Sequence, residues 1–375
     1  MPDSEAPKQS QLSPALIRVD ASESIGIGHV MRCLALAGAL KDHGEPVTFL
    51  CAQCPAALVD SLKHRGFAVE FLPPAMKPGS EADARFTAER ARRLDRNKID
   101  GDGARPIVII DGYHFFEDYQ VILDQYPLRV AFMDDLHHCK RYYTDIVINQ
   151  NPSARAENYP NTAAKTKLLL GAPMILIRGE FLDHRRKQAR REQPARARKI
   201  LVTMGGADID NVTSKVMGGL SQIEDLEVTV LIGGGNTHLA DIQKLADALN
   251  NAHTRSRFTC LQNASDMAAV IDDCDLVVSA GGTTVWEAAY LGAPTAVIIT
   301  ADNQVEGMEY FAAAGATALL GRQEKLSEAD IACALAPLLD SQEIRKSLAQ
   351  KAAVIDGQGA RRVLDTIASI VVPAT

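Results

Sequence analysis

Short β-branched runs alternate with amphipathic stretches twice along this chain of 375 residues, and that alternation narrows the possible folds more than any other feature. In the first half the strand-like runs are Leu16–Asp20, Val47–Leu50, Ala68–Leu72, Ile107–Asp111, Val130–Asp134 and Ile146–Asn149. Helical spacing starts at Val30, continues through Leu34, Leu36, Ala37 and Leu40, and closes at Lys41–Gly44; it returns over Ala56–Arg65 and from Ala82 to about Arg96. A second series follows at Ile200–Met204, Val228–Ile232, Phe258–Leu261, Leu276–Ser279, Thr295–Ile299 and Thr317–Leu320, with helices between and helical patterns at Ile344–Ile355 and Ala360–Ile370. Strands separated by helix-length connections predict parallel sheets covered on both faces. The expected class is α/β: two similar doubly wound, Rossmann-like domains whose carboxyl edges face each other across a cleft.

The expected division is a loose polar tail over residues 1–14, a first domain over 15–184, a basic linker over 185–198 and a second domain over 199–375. The linker rests on Arg185-Arg186-Lys187-Gln188-Ala189-Arg190-Arg191, read as a solvated helix face. The formal charge of −7 comes from 40 basic and 47 acidic residues without a broad basic block, which argues against nucleic acid as partner. Seven scattered cysteines and a start without a secretory signal fit a reducing cytoplasm rather than a disulfide framework. Cys51-Ala52-Gln53-Cys54 has redox spacing but follows a strand, and reads as a structural pair. No apolar run reaches the ~18 residues of a membrane span. A monomer is the default expectation.

Chemistry concentrates where strands turn into helices. Gly26, Gly28 and His29 lie between the first strand and first helix, where backbone N–H groups and a positive helix end meet the sheet's carboxyl edge. That dipole should favour a neutral imidazole able to act as a base near pH 7, although a His at a helix start can also simply cap it. In the second half, Gly205-Gly206-Ala207-Asp208, Gly281-Gly282-Thr283-Thr284 and Asp302-Asn303-Gln304 follow the first, fourth and fifth strands. Glycines there allow close backbone approach, and Thr283 and Thr284 are placed to cap the next helix while meeting an anion, a pattern suited to a diphosphate. Glu287, read as lying in that helix's first turn, is either a ribose ligand or a favourable helix-start charge.

Competing motifs fail. No Gly-Lys-Ser/Thr follows a glycine loop, so the Walker pattern is absent, and Met31 stands where a dinucleotide fingerprint needs its third glycine, so a nicotinamide cofactor is not expected. His137 and His138, adjacent in a loop near Asp134-Asp135, lack the helical spacing of a metal site, and no metal is expected.

With these pieces placed, the chain resembles the UDP-sugar hydrolases of bacterial pseudaminic acid biosynthesis, relatives of the two-domain GT-B glycosyltransferases typified by the MurG family. The resemblance rests on an ordered set of motifs: Arg18-Val19-Asp20-Ala21-Ser22 with Ile25-Gly26-Ile27-Gly28-His29, Ile109-Ile110-Asp111-Gly112-Tyr113, Asp134-Asp135, Gly205-Gly206-Ala207-Asp208-x-Asp210-Asn211, Ser279-Ala280-Gly281-Gly282-Thr283-Thr284-x-Trp286-Glu287 and Ala301-Asp302-Asn303-Gln304. The N-terminal tail, the basic linker and Gly112, which replaces an often bulkier or charged residue, depart from compact members. The resemblance implies a GT-B-like fold with His29 as catalytic base. It places Asp20, Gly28, Tyr113, Asp134, Asn303 and Gln304 at the sugar, and Gly205, Gly206, Gly281, Gly282, Thr283, Thr284 and Glu287 at UDP. The implied partner is a UDP-sugar substrate, hydrolysed with inversion without metal or cofactor. A GT-B glycosyltransferase using an acceptor hydroxyl, and a non-catalytic sugar-nucleotide-binding protein, are the alternatives.

Overall fold

The computed structural model describes residues 12–22, 25–94, 105–188, 192–252, 255–262, 264 and 266–370. The chain divides into two units, Met1–Leu176 with Gln358–Thr375, and Ile177–Gly357.

The first unit is built on seven parallel strands: β1 (Ala15–Val19), β2 (Val47–Cys51), β3 (Ala68–Phe71), β4 (Ile107–Asp111), β5 (Arg129–Met133), β6 (Ile146–Asn149) and β7 (Lys167–Leu170). Their order is β3-β2-β1-β4-β5-β6-β7, so the winding reverses between β1 and β4. Its helices include α1 (Gly28–Asp42), α2 (Ala56–His64), α3 (Glu81–Leu94) and α4 (Glu117–Asp124). Side chains alternate across the sheet. Ile17, Phe49 and Ile109 share a core with Val30, Leu36 and Leu40 of α1, whereas Leu16, Leu50, Val108 and Ile110 pack with Ala84 and Ala88 of α3 and Tyr119 of α4. Burial on both faces explains why these strands read as continuous apolar runs. Val19 is in register with Asp111, which brings the carboxyl ends of β1 and β4 together at the reversal point, the usual ligand position in open parallel sheets.

The second unit repeats the plan with β8 (Lys199–Thr203), β9 (Glu227–Ile232), β10 (Arg257–Gln262), β11 (Leu276–Ala280), β12 (Thr295–Ile299) and β13 (Ala318–Arg322), ordered β10-β9-β8-β11-β12-β13. Helices α5 (Gly179–Lys187), α6 (Val212–Leu220), α7 (Leu239–Asn251), α8 (Met267–Asp272), α9 (Thr283–Leu291), α10 (Val305–Ala313), α11 (Glu328–Asp340) and α12 (Gln342–Lys351) accompany it. Its reversal point falls between β8 and β11. The expected strands and helices form with bounds shifted by a few residues, the expected end of α3 near Arg96 lying outside the described residues, while β7, α4 and α11 were not among the expected elements.

The boundaries differ from the expectation in three places. The last helix, α13 (Gly359–Ala368), belongs to the first unit, because Ala360, Val363, Leu364 and Ile367 enter the core formed with α1. Leu12 and Ser13, expected in a loose tail, are buried, and the Ser13 hydroxyl accepts from Arg129 Nη2 at 3.2 Å; residues 1–11 lie outside the described residues. The basic stretch is no free linker: Arg185, Arg186 and Lys187 finish α5 within the second unit, and residues 189–191 lie outside the described residues. Beyond them, the fully buried Arg345 donates to the carbonyls of Pro194 and Ala195, and Ala197 N–H donates to Leu339 O at 2.8 Å. A buried guanidinium needs acceptors, and this segment supplies them.

Gly359 marks how closely α13 is docked, since a Cβ there would stand 2.2 Å from the Ile175 carbonyl oxygen. Backbone cannot give way cheaply, so Gly359→Ala is expected to lose about 1–3 kcal/mol of stability. A denaturant midpoint equal to that of the wild type would show that the helix is not held at this contact.

Candidate functional site

A tight turn ahead of α1 positions the candidate base. Gly26, at φ 77°, donates its N–H to Ser22 O at 2.8 Å, and the Ser22 hydroxyl accepts from Ile25 N–H at 3.1 Å. The turn delivers Gly28 and His29 as the first two residues of α1. The His29 ring is buried with Nδ1 2.7 Å from Asp111 Oδ1, at the end of β4. Arg32 Nη2 lies 3.0 Å from the same nitrogen but already donates to Asp111 Oδ1 at 2.6 Å, and a lone pair on Nδ1 would meet that negative oxygen at 2.7 Å, so the closer carboxylate assigns the proton to Nδ1. The tautomer assigned from this network leaves Nε2 unprotonated and available as a proton acceptor. The nearest charges to the imidazole are thus Asp111 and Arg32, at closer range than the helix dipole that the sequence singled out.

Asp111 is fully buried and richly bonded. Arg32 Nε donates to Oδ2 at 2.7 Å and Nη2 to Oδ1 at 2.6 Å, while the Cys33 thiol donates to Oδ2 at 3.3 Å. Burial alone would raise its pKa, but the charges and hydrogen bonds of Arg32 and His29 outweigh it and hold the carboxyl well below the usual range. His29 and Asp111 line a pocket of about 240 Å³ with Asp20, Gly112, Tyr113 and Phe116. The Tyr113 ring meets His29 edge-on, with centroids 4.8 Å apart.

The expected sugar contacts separate into different groups. Asp20 reaches the pocket, yet its Oδ1 already accepts from Arg18 at 2.8 Å and from Ala52 N–H at 2.6 Å. Gly28 only opens α1. Asp134 is buried away from the pocket's lining, because its carboxylate accepts from the Tyr142 hydroxyl at 2.5 Å and from the N–H groups of Leu136 and His137. Its neighbour Asp135 is the residue that joins the site, accepting from Arg32 at 2.5 Å and from the Tyr113 hydroxyl at 3.3 Å. Sequence reasoning missed Arg32, Asp135 and the role of Asp111. Arg32 stands three residues after His29 on the same helix and Asp111 ends a strand, which were the available signals.

In the second unit, β11 leads through Gly281 and Gly282 into α9. The residue preceding α9 is Gly282, so Thr283 and Thr284 are its first two residues rather than its caps. Glu287 is therefore in the second turn, not the first, and is buried, with Arg178 Nε donating to its Oε1 at 2.6 Å. Burial raises its pKa and Arg178 only partly offsets that. A two-oxygen grip on a ribose would compete with this ion pair. Trp286 anchors the helix by packing edge-on to Phe311 of α10 at 5.1 Å.

Gln304 works on the backbone: its side-chain oxygen accepts from Gly281 N–H at 3.2 Å and Thr300 N–H at 3.0 Å, tying the ends of β11 and β12 together. That oxygen also lies 3.3 Å from the Thr300 hydroxyl. Asn303 beside it is exposed. After β8, Gly205 takes φ 87° and Asp208 turns its carboxylate onto the first N–H groups of α6, at 2.8 Å from Val212 and 3.1 Å from Thr213. That helix end is satisfied by its own chain. A second glycine turn, Gly233-Gly234-Gly235 after β9, escaped the sequence reading; Gly235 N–H donates to Gly206 O at 3.1 Å, and a Cβ at Gly233 would lie 2.5 Å from the same oxygen.

Among the described residues no group of three or more His, Cys, Asp or Glu is placed to hold a metal ion, and no helix is long and apolar enough to cross a membrane. His138 instead packs edge-on to Phe116 and Phe132.

Residues 199–366 match the glycosyltransferase family 28 C-terminal domain. Over 77% of this chain, an uncharacterised protein of Methanocaldococcus jannaschii is 25% identical, and the match spans 56% of that protein's length, less than two thirds. The UDP-2,4-diacetamido-2,4,6-trideoxy-β-L-altropyranose hydrolase of Campylobacter jejuni is 24% identical over 80% of this chain and 96% of its own. A spore coat polysaccharide biosynthesis protein of Bacillus subtilis is 23% identical over 92% of this chain and 95% of its own. Among solved structures, MurG of Acinetobacter baumannii superposes with a TM-score of 0.65 at 17% identity, covering 95% of this chain and 100% of MurG. With its two parallel sheets of seven and six strands, the chain is an α/β protein of GT-B fold whose residues 199–366 match the family 28 C-terminal domain.

Proposed function

We propose that this protein hydrolyses a UDP-linked 2,4-diacetamido-2,4,6-trideoxy sugar, releasing UDP and the free sugar. The observation that carries the reading is the His29–Asp111 contact of 2.7 Å, which assigns the imidazole proton to Nδ1 and leaves Nε2 as a base in a pocket wide enough for a sugar substituent. The Campylobacter relative supports the substrate class, and the ordered motifs shared with such hydrolases support the residue roles.

Water is the nucleophile. As its oxygen bonds to the anomeric carbon, its proton passes to His29 Nε2 and the bond from that carbon to the diphosphate oxygen breaks on the opposite face, which gives inversion. Glycosidases expelling an alkoxide need a second carboxylic acid to protonate it. UDP leaves as a stabilised anion, so N–H groups at the start of α9, behind Gly281 and Gly282, are sufficient to receive its charge. Tyr113 flanks the sugar beside the base; the resemblance assigns Asn303 to the sugar and Gly205, Gly206, Thr283, Thr284 and Glu287 to UDP. The chemistry requires no metal or cofactor.

Glycosyl transfer is the second reading, favoured by the family 28 match. UDP release from a panel of UDP-sugars without acceptor separates them: rapid release from the diacetamido compound alone is expected, whereas turnover only on adding an acceptor would make the protein a transferase. Retention of the UDP-sugar without release over hours would make it a binder.

His29→Asn should lower turnover by ~10²-fold or more with UDP affinity nearly unchanged, and wild-type turnover would overturn the assignment of the base. Glu287→Ala is expected to weaken UDP binding in calorimetry; unchanged affinity would leave Glu287 as the partner of Arg178 only. Turnover should survive EDTA, and loss restored by Mg²⁺ or Mn²⁺ would contradict the metal-free mechanism.

A further inference from the structure

Arg32 touches both Asp111 and Asp135, two carboxylates near the candidate base. Its guanidinium, 6% exposed, donates through Nε and Nη2 to the two oxygens of Asp111 and through Nη1 to Asp135 Oδ1. Asp135 Oδ2 accepts from the Tyr113 hydroxyl, and the Tyr113 ring lies edge-on to His29. A closed circuit results: base, carboxylate, guanidinium, second carboxylate, tyrosine, and back to the base. We propose that Arg32 is a positioning residue that sets the pH range in which His29 works and couples the base to the Tyr113 wall of the sugar pocket. The inference rests on the reading of His29 as the base.

Two consequences of the geometry support it. The paired donors from Arg32, with the Cys33 thiol, occupy Asp111 so fully that its remaining role is to accept the His29 Nδ1 proton's hydrogen bond; it is poorly placed to take a proton from water itself. Burial pushes the Cys33 thiol well up, with Asp111 adding to it, so Cys33 remains a neutral donor. The second consequence is one of charge. Asp111 and Asp135 together would stabilise an imidazolium strongly, and Arg32 is the positive charge inserted between them. The groups that face the imidazole or its pocket are Arg32 and Cys33 from α1, Asp111 and Tyr113 at the end of β4, His114 beyond it, and Asp20 after β1, with Asp135 after β5 reached through Arg32.

The signs that follow differ between variants. Removing the positive charge in Arg32→Met leaves both carboxylates unopposed, so the protonated, inactive imidazole persists to higher pH. The acid limb of the kcat profile should move up by at least about one pH unit. Asp111→Asn and Asp135→Asn each remove a negative charge and should move the limb down. Arg32→Lys keeps the charge but not the two-pronged fork, so it should leave the limb near the wild-type position while lowering kcat by about tenfold.

The experiment is the pH dependence of UDP release between pH 5 and 9 for the full-length wild type, these four variants and His29→Asn, with circular dichroism to check folding. Opposite displacements for Arg32→Met and the two carboxylate variants are the expected result. An unmoved limb in Arg32→Met, with kcat alone reduced, would overturn the inference. If Arg32→Met does not fold, Arg32→Lys and Asp135→Asn decide it, and an unmoved limb in Asp135→Asn would count against it in the same way. Failure of the underlying reading looks different: His29→Asn would then retain wild-type turnover.

Discussion

Asp111 ends a strand that is covered on both faces, so its carboxylate is withdrawn from water, and an unmatched charge there would cost several kcal/mol. The first unit resolves this with donors from one helix. His29, Arg32 and Cys33 all reach Asp111 from the opening turn and a half of α1, which fixes how that helix sits at the carboxyl edge of the sheet. The constraint also runs outward. Arg32 continues to Asp135 and thence to Tyr113, so the wall of the pocket is tied to the same buried charge. An interaction that the core requires for solvation thereby also orients the imidazole.

The second unit meets its constraints with backbone. Two glycine turns, after β8 and β9, approach closely enough that a Cβ at Gly233 would collide with Gly206 O, and the Gln304 side chain ties the ends of β11 and β12. Of these contacts it is Gln304 that holds Gly281, ahead of α9, whose first residues are left without a side-chain cap. At α6 the outcome is the reverse, since Asp208 already satisfies the first N–H groups. Of two helix starts that look alike in sequence, the one after β11 is the better candidate for an external anion.

Much of this was legible in the residue pattern. Both sheets announced themselves because parallel strands buried on two faces are short, β-branched and nearly uninterrupted, and Ile107–Asp111, Ile146–Asn149 and Thr295–Ile299 form at the expected bounds. The place of His29 at the start of α1 was legible because strand-to-glycine-to-helix turns have a local signature. The bonds that Asp134 and Gln304 make within the fold were hidden for the opposite reason. Whether such a polar side chain faces a pocket or bonds its neighbours depends on how the loops fold back, which brings the Tyr142 hydroxyl to Asp134 and Gly281 N–H to Gln304. The destination of α13 was also hidden, because its apolar stripe fits any complementary core.

The sequence by itself determined the two doubly wound sheets, the reversal points that place loops at their carboxyl edges, and the identity of the histidine at the first of them. These follow from periodicity and glycine placement, which act over a few residues. Tertiary structure alone decided that Asp111 is the partner of His29, that Arg32 and Asp135 close the circuit around it, that Glu287 is paired with Arg178, and that the last helix returns to the first unit. Those outcomes depend on which charges and apolar faces are removed from water together, and residues 82 positions apart, as His29 and Asp111 are, meet only when the sheet has formed.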